Sequence, residues 1–197
     1  MKIRNNILKY FLKNCIFING TAYAGKSTMC KMLAKKYDLI LCGENHGLDR
    51  LLQIITPEEY LAWIMGNSRE AADFEIAELI RLSGDKRTIV DTNIPLEILK
   101  QIADYNQVAI MLSPQSLSVD MFFERDDEEK LFLLSQIKQA ADPEKTLQNF
   151  RDCLAKFNSQ EICDEWLNSG FFTIVRNDAE TDTRLETIDV LARHFGL

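Results

Sequence analysis

Five short runs along the chain are apolar without alternation: Cys15–Asn19, Leu39–Cys42, Thr88–Asp91, Val108–Leu112 and Phe171–Val175. A strand with one wet face would alternate, so continuous runs of this length predict strands covered on both faces of a parallel sheet. Between the runs the spacing becomes helical. Met29, Met32, Leu33 and Tyr37 lie on one stripe of Lys26–Tyr37, and Ile76, Leu79, Ile80 and Leu82 mark another helix. Strands and helices in alternation imply right-handed crossovers and an α/β fold.

Two connections are long. About forty residues separate the second and third runs. Within them Thr56-Pro57-Glu58-Glu59 opens a helix, with Thr56 as N-cap, Pro57 at the first helical position and Glu59 closing a capping box. Ser83-Gly84-Asp85 ends the helix that carries Leu79 and Leu82. A second helical region separates the fourth and fifth runs. It starts near Asp120, carries the acidic block Glu124–Glu129 and restarts at Asp142-Pro143-Glu144. The last helix is expected over Glu180–Phe195. No repeat or low-complexity linker divides the sequence, so 1–197 reads as a single domain with helical inserts at about 43–85 and 114–168.

Composition narrows the function class. Apolar content of 46% suffices for a packed core, and a net charge of −7 argues against non-specific nucleic-acid binding. The five cysteines include no CxxC pair; Cys15, Cys30 and Cys42 sit in apolar runs and read as small core residues, whereas Cys153 and Cys163 have no such context. That pattern fits a reducing cytoplasm better than a disulfide framework or a zinc site. Residues 1–14 are basic and amphipathic (Lys2, Arg4, Lys9 and Lys13 among Ile3, Ile7, Leu8, Phe11 and Leu12), as in a membrane-surface helix or a targeting peptide. The stretch lacks the apolar centre and small-residue cleavage site of a secretory signal. A helix packed on the domain or on a partner subunit is the plainer reading, which leaves a homodimer open. No run approaches the roughly 20 apolar residues of a membrane span.

One stretch specifies chemistry. Gly20-Thr21-Ala22-Tyr23-Ala24-Gly25-Lys26-Ser27-Thr28 is a full GxxxxGK[ST] phosphate-binding loop, set between the first apolar run and the helix Lys26–Tyr37. Strand, glycine loop and helix make up the context in which this string is a site. Gly20 and Gly25 let the backbone, Tyr23 and Ala24 included, wrap phosphate oxygens with its N–H groups, and the helix adds its open N-terminus. In such a loop Lys26 reaches the β- and γ-phosphates, the Ser27 hydroxyl can bind Mg²⁺, and Thr28 meets the α-phosphate. Nucleoside triphosphate binding is the expectation.

The loop alone does not separate kinases, GTPases and motor ATPases. A GTPase needs an NKxD motif on a late strand, and Arg176-Asn177-Asp178-Ala179 is not one. A motor ATPase shows Asp-Glu at a strand end, whereas here the third run ends Val90-Asp91-Thr92-Asn93. What remains resembles the small-molecule and nucleotide kinase branch of P-loop proteins, which includes shikimate kinase, the nucleoside monophosphate kinases and the deoxynucleoside kinases. The resemblance is specific at the loop and Asp91, and weaker at Phe123-Glu124-Arg125-Asp126-Asp127-Glu128-Glu129. It implies a three-layer P-loop fold whose five parallel strands are ordered 2-3-1-4-5. A helical substrate region follows the second strand and a lid follows the fourth, where the two long connections fall.

It also implies roles: ATP as donor, Mg²⁺ as cofactor, and a small hydroxyl-bearing metabolite or nucleotide as acceptor. Asp91 would hold Mg²⁺ through water or orient the acceptor, a strand-end turn cap being the plainer alternative. Glu44, beside Asn45 and His46, is a candidate base or substrate anchor, or else a loop cap. Arg50, about one helical turn on, is a substrate contact or a solvated residue. Arg125 is the candidate lid cation, although it stands one residue nearer to Asp126-Asp127 than the monophosphate-kinase pattern has it. Lys130 and Lys138 are the only cations after it before Lys145, and no second Arg appears until Arg151. Arg176-Asn177-Asp178 lies where such kinases wrap the adenine, which makes Asn177 a cofactor-binding candidate. Tyr23 and Tyr105 are stacking or packing residues, and Trp63 and Trp166 core or pocket walls. The thin lid and the basic N-terminus leave a second reading open: a nucleotide-binding sensor or partner module with little transfer.

Overall fold

The computed structural model describes residues 5–43, 54–66, 68–82, 84–114, 119, 121–124, 128–177 and 181–197, apart from the side chains of 5–7, 63–66, 68, 128 and 129. Five strands, β1 (Cys15–Gly20), β2 (Ile40–Cys42), β3 (Thr88–Asp91), β4 (Val108–Leu112) and β5 (Phe172–Val175), form one sheet in the order β2-β3-β1-β4-β5. Every pairing is parallel. The helices in chain order are α1 (Asn5–Phe11), α2 (Lys26–Tyr37), α3 (Pro57–Gly66), α4 (Ser68–Leu82), α5 (Leu96–Ile102), α6 (Glu128–Ile137), α7 (Pro143–Phe157), α8 (Gln160–Leu167) and α9 (Arg184–Phe195). Short 3₁₀ turns lie at Tyr105–Gln107 and Phe122–Glu124.

The apolar runs of β1, β3 and β4 become strands covered twice, whereas the edge strands β2 and β5 are only partly buried, with Leu41 and Val175 exposed. Phe17, Val90, Val108 and Ile110 face a core completed by Leu8, Ile76, Leu79, Ile98 and Leu99 from α1, α4 and α5. Ile16, Ile18, Ile89 and Ala109 face the opposite core, with Cys30 and Leu33 of α2 and Ile188 and Leu191 of α9. A third, smaller cluster around Tyr60, Ile137 and Phe150 joins α3 to α6 and α7. The basic N-terminal helix packs on the domain. Leu8 and the following Leu12 are buried, and Lys9 pairs with Asp104. Among the described residues no helix is long and apolar enough to cross a membrane.

Local chemistry sets the boundaries. Thr56 and Glu59 form the expected capping box: Thr56 N donates to Glu59 Oε2 at 2.9 Å and Glu59 N to Thr56 Oγ1 at 3.2 Å. Asp142 Oδ1 accepts from Lys145 N at 3.1 Å ahead of Pro143. The last helix starts at Arg184 rather than at 180, because Asp182 Oδ1 takes the Arg184 N–H at 3.1 Å in a local turn that competes with helix. β2 starts one residue late, at Ile40. Asp38 adopts a left-handed φ of 53° as the cap of α2, and Leu39 N returns to Ala34 O. Ser159 caps α8 and so breaks the second helical insert into separate helices.

The cysteines follow the core reading, and the two without sequence context are now placed. Cys15, Cys30, Cys42 and Cys163 are buried and Cys153 is half-buried. Burial pushes the thiols of Cys42 and Cys153 up to about 11, so both stay protonated and inert at neutral pH. The cap of β4 carries more weight. Gln107 is buried and donates through Nε2 to Leu12 O at 2.9 Å and to Cys15 O at 2.8 Å, while its Oε1 accepts from Asp104 N at 3.0 Å. It therefore ties the entry of β1 to the entry of β4. Gln107→Leu removes the side-chain partner of Cys15 O, of the Asp104 N–H and of Leu12 O, the last of which keeps the Cys15 N–H at 2.9 Å, and a loss of about 3 kcal/mol in urea unfolding is expected. A loss below about 0.5 kcal/mol would mean that water replaces all three bonds.

Candidate functional site

The loop joining β1 to α2 turns at three residues with positive φ: Gly20 (127°), Tyr23 (62°) and Gly25 (94°). Such reversals aim successive N–H groups at one concave point, an anion cradle. Gly25 is the N-cap of α2, and the first intrahelical bond runs from Met29 N to Gly25 O. The N–H groups of Lys26, Ser27 and Thr28 thus lie at the open, positive end of the helix. Lys26 is only 5% exposed and its Nζ donates to Thr21 O at 3.3 Å, so the ammonium lies folded along the loop. Cationic and backbone donors gathered this way suit a polyphosphate.

The outer arm of the loop is held from three sides. Asn19 Nδ2 donates to Ile94 O at 2.7 Å, and Gly20 N donates to Asn19 Oδ1 at 2.6 Å. Ser113, just past β4, donates from N to Thr21 Oγ1 at 2.7 Å and from Oγ to Ala22 O at 2.8 Å. Asn158, at the end of α7, accepts from Ala22 N at 2.7 Å. Arg176, just past β5, reaches Tyr23 O at 3.5 Å with its guanidinium carbon 5.7 Å from the Tyr23 ring centroid.

Asp91 is fully buried at the carboxyl end of β3, in register with Ile18 of β1. Side-chain alternation places it on the face of Ile89, the face that packs against α2. The predicted residues Gly20, Tyr23, Ala24, Gly25, Lys26, Ser27 and Thr28 thus form one loop and helix start, with Asp91 at the adjoining strand end. Asn177 is exposed and follows Arg176, the residue of that segment that meets the loop. Glu44, Asn45, His46, Arg50 and Arg125 lie outside the described residues, as does the Trp63 side chain.

Other candidates fall elsewhere. Tyr105 lies ahead of β4, at the opposite end of the sheet from the loop, with its ring edge-on to His194 at 5.2 Å. Its packing role displaces the stacking one. Lys130 is buried with its ammonium 4.2 Å from the Phe122 ring centroid, within the second helical insert, and Arg151 is exposed. Arg69 and Arg81 pair with Asp73 and Glu78 on exposed helix faces. Trp166 is a core wall, half-buried against the α1–α5 side.

Sequence reasoning missed Asn158, Ser113 and Glu75. Glu75 of α4 is buried at 4% exposure and its charge adds to the rise of the Cys42 thiol at the end of β2. Only its place on an otherwise apolar stripe (Ala72, Ile76, Leu79) could have signalled it.

No family model and no curated protein matches the chain. Among solved structures it is similar in layout to a shikimate kinase from Acinetobacter baumannii in complex with shikimate, at 18% identity over 92% of both chains and a TM-score of 0.45. A putative kinase from Chloroflexus aurantiacus matches at 13% identity over 93% of this chain and 97% of that one, with a TM-score of 0.49. A dephospho-CoA kinase from Campylobacter jejuni matches at 19% identity over 93% and 98%, with a TM-score of 0.43. The parallel sheet ordered β2-β3-β1-β4-β5, with the GxxxxGK[ST] loop running from its central strand into α2, gives this chain the three-layer α/β P-loop fold that the sequence predicts.

Proposed function

We propose that this protein is an ATP-dependent phosphotransferase that moves a γ-phosphoryl group to a small hydroxyl-bearing metabolite or a nucleotide. The observation that carries the reading is the preformed loop: three positive-φ turns, a buried Lys26 and a buried Asp91 at the neighbouring strand end. In the reaction the acceptor oxygen bonds to the γ-phosphorus. The bond to the β,γ-bridging oxygen breaks, and ADP leaves with the electron pair. The acceptor proton goes to a base, for which Glu44 is the candidate. Lys26 and the N–H groups of Tyr23–Thr28 would neutralise charge growing on the phosphate oxygens, and Arg125 would close on them from the lid. Asn177 would border the adenine.

The residues present fit Mg²⁺. Ser27 at the first turn of α2 and Asp91 at the end of β3 would hold the ion through hard oxygen donors of the kind Mg²⁺ takes. Bound there, the ion would shield β- and γ-oxygen charge. Asp91→Asn keeps the shape but removes the charge. Turnover is expected to fall about 10–100-fold, with the Mg²⁺ activation curve moved to higher concentration. An unchanged Mg²⁺ curve would assign Asp91 to the strand end alone.

The reading is tested with a panel of hydroxyl-bearing metabolites and nucleotides scored for ADP release. At least one acceptor should stimulate release above the acceptor-free rate. Tight ATP binding with no stimulation by any acceptor would instead favour a nucleotide-binding sensor or partner module.

A further inference from the structure

Tyr23 is a non-glycine residue held at φ 62°, where an L side chain crowds its own backbone. Such a conformation persists only when the surroundings over-determine it. The groups on either side of it are clamped from outside the loop. Ala22 N donates to Asn158 Oδ1 at 2.7 Å, Ala22 O accepts from Ser113 Oγ at 2.8 Å, and Tyr23 O accepts from Arg176.

Asn158 differs from the other two clamps in where it comes from. It is the last residue of the α7 turn, 2% exposed, and its own orientation is fixed because Nδ2 donates to Leu154 O at 2.7 Å. An amide locked by a carbonyl on one side presents only its oxygen to the other. At its far end α7 rests on α3, where Thr146 Oγ1 donates to Glu58 Oε1 at 3.2 Å and Phe150 packs with Tyr60. α7 is therefore a brace between α3 and the phosphate loop.

We infer that Asn158 is a positioning residue for nucleotide binding: by holding Ala22 N–H it keeps Tyr23 in its strained turn, so that the anion cradle is formed before the nucleotide arrives. The inference rests on the nucleotide-binding part of the function proposed above. Without the clamp Tyr23 relaxes to negative φ, the cradle opens, and binding must restore it. Asn158→Leu removes both side-chain bonds while keeping the branched four-atom shape of the side chain. The dissociation constant for a fluorescent ATP analogue (mant-ATP) should rise about ten-fold, the equivalent of restoring one left-handed residue. In the wild type free of nucleotide, the Ala22 amide should already exchange slowly with solvent, a readout that needs no variant to fold. Tyr23→Gly in the Asn158→Leu background should recover part of the lost affinity, because glycine holds positive φ without the crowding. Three results would overturn the inference alone: fast Ala22 exchange, an unchanged dissociation constant in a variant with a lowered melting temperature, or no recovery with glycine. Failure of the wild type to bind mant-ATP would overturn the nucleotide reading itself.

Discussion

Replacing Lys26 by alanine is expected to lower phosphoryl transfer about 10²–10³-fold, as when one preorganised charge-stabilising donor is lost. The argument is electrostatic. Lys26 is buried and its Nζ makes a 3.3 Å bond to Thr21 O, too long to contribute much to stability. Its burial in a chain of net charge −7 is instead suited to a ligand that brings several negative charges. In the proposed transfer, charge on the β- and γ-oxygens would grow as the bond to ADP breaks, so the ammonium would stabilise the transition state more than the bound substrate. The loss should therefore fall mainly on kcat, with a smaller rise in the Michaelis constant for ATP. Steady-state assays on an acceptor found in the panel, with urea unfolding of both proteins, check this. Equal turnover in Lys26→Ala and wild type would remove the kinase reading. A large loss of folding stability would recast Lys26 as a structural residue.

The parts of this fold legible in the sequence are those set by burial on both sides. Thr88–Asp91 and Val108–Leu112 are strands over the residues that their apolar runs predict, and Lys26–Tyr37 is the helix that its stripe predicts. Shifted boundaries were decided by single polar contacts, such as Asp182 on the Arg184 N–H and the left-handed turn at Asp38. The site divides similarly. The Gly20–Thr28 loop is legible because its glycines and the helix start are contiguous, so spacing alone encodes the turn. Asn158 acts on Ala22 across 136 positions, and an asparagine at a helix end looks like any cap. Arg176 reaches Tyr23 O at 3.5 Å because β5 lies beside β4, as the expected strand order has it, but no local spacing marks that contact across 153 positions. Glu44 and Arg125 remain expectations of the resemblance.

Gly20→Ala should damage the protein more than any other single methyl addition in the loop. A Cβ built on Gly20 would lie 1.9 Å from Met111 O and 2.8 Å from Met111 C, far inside contact distance, and φ there is 127°. Met111 belongs to the buried strand β4, paired with Gly20 in register, and its carbonyl accepts the Thr21 N–H at 3.0 Å. The obstacle is therefore backbone fixed by the sheet, and it cannot swing aside as a side chain could. To admit the methyl, the β1–β4 ladder must part at its end or the loop must leave its path. A loss of about 4 kcal/mol or more is expected, a large share of the roughly 5–15 kcal/mol that a domain has. Gly25→Ala is the control. Its nearest neighbour to a new Cβ is Met111 Cε at 3.8 Å, so only the φ of 94° opposes it, at about 1–2 kcal/mol. That variant should fold and show its defect in nucleotide affinity, because Gly25 caps the helix end proposed to hold the phosphates. Urea unfolding with mant-ATP titration separates the two. If Gly20→Ala unfolds within about 1 kcal/mol of wild type, the close approach of β1 to β4 is not rigid. If the two variants lose equal stability, positive φ rather than the Met111 carbonyl is what requires glycine at position 20.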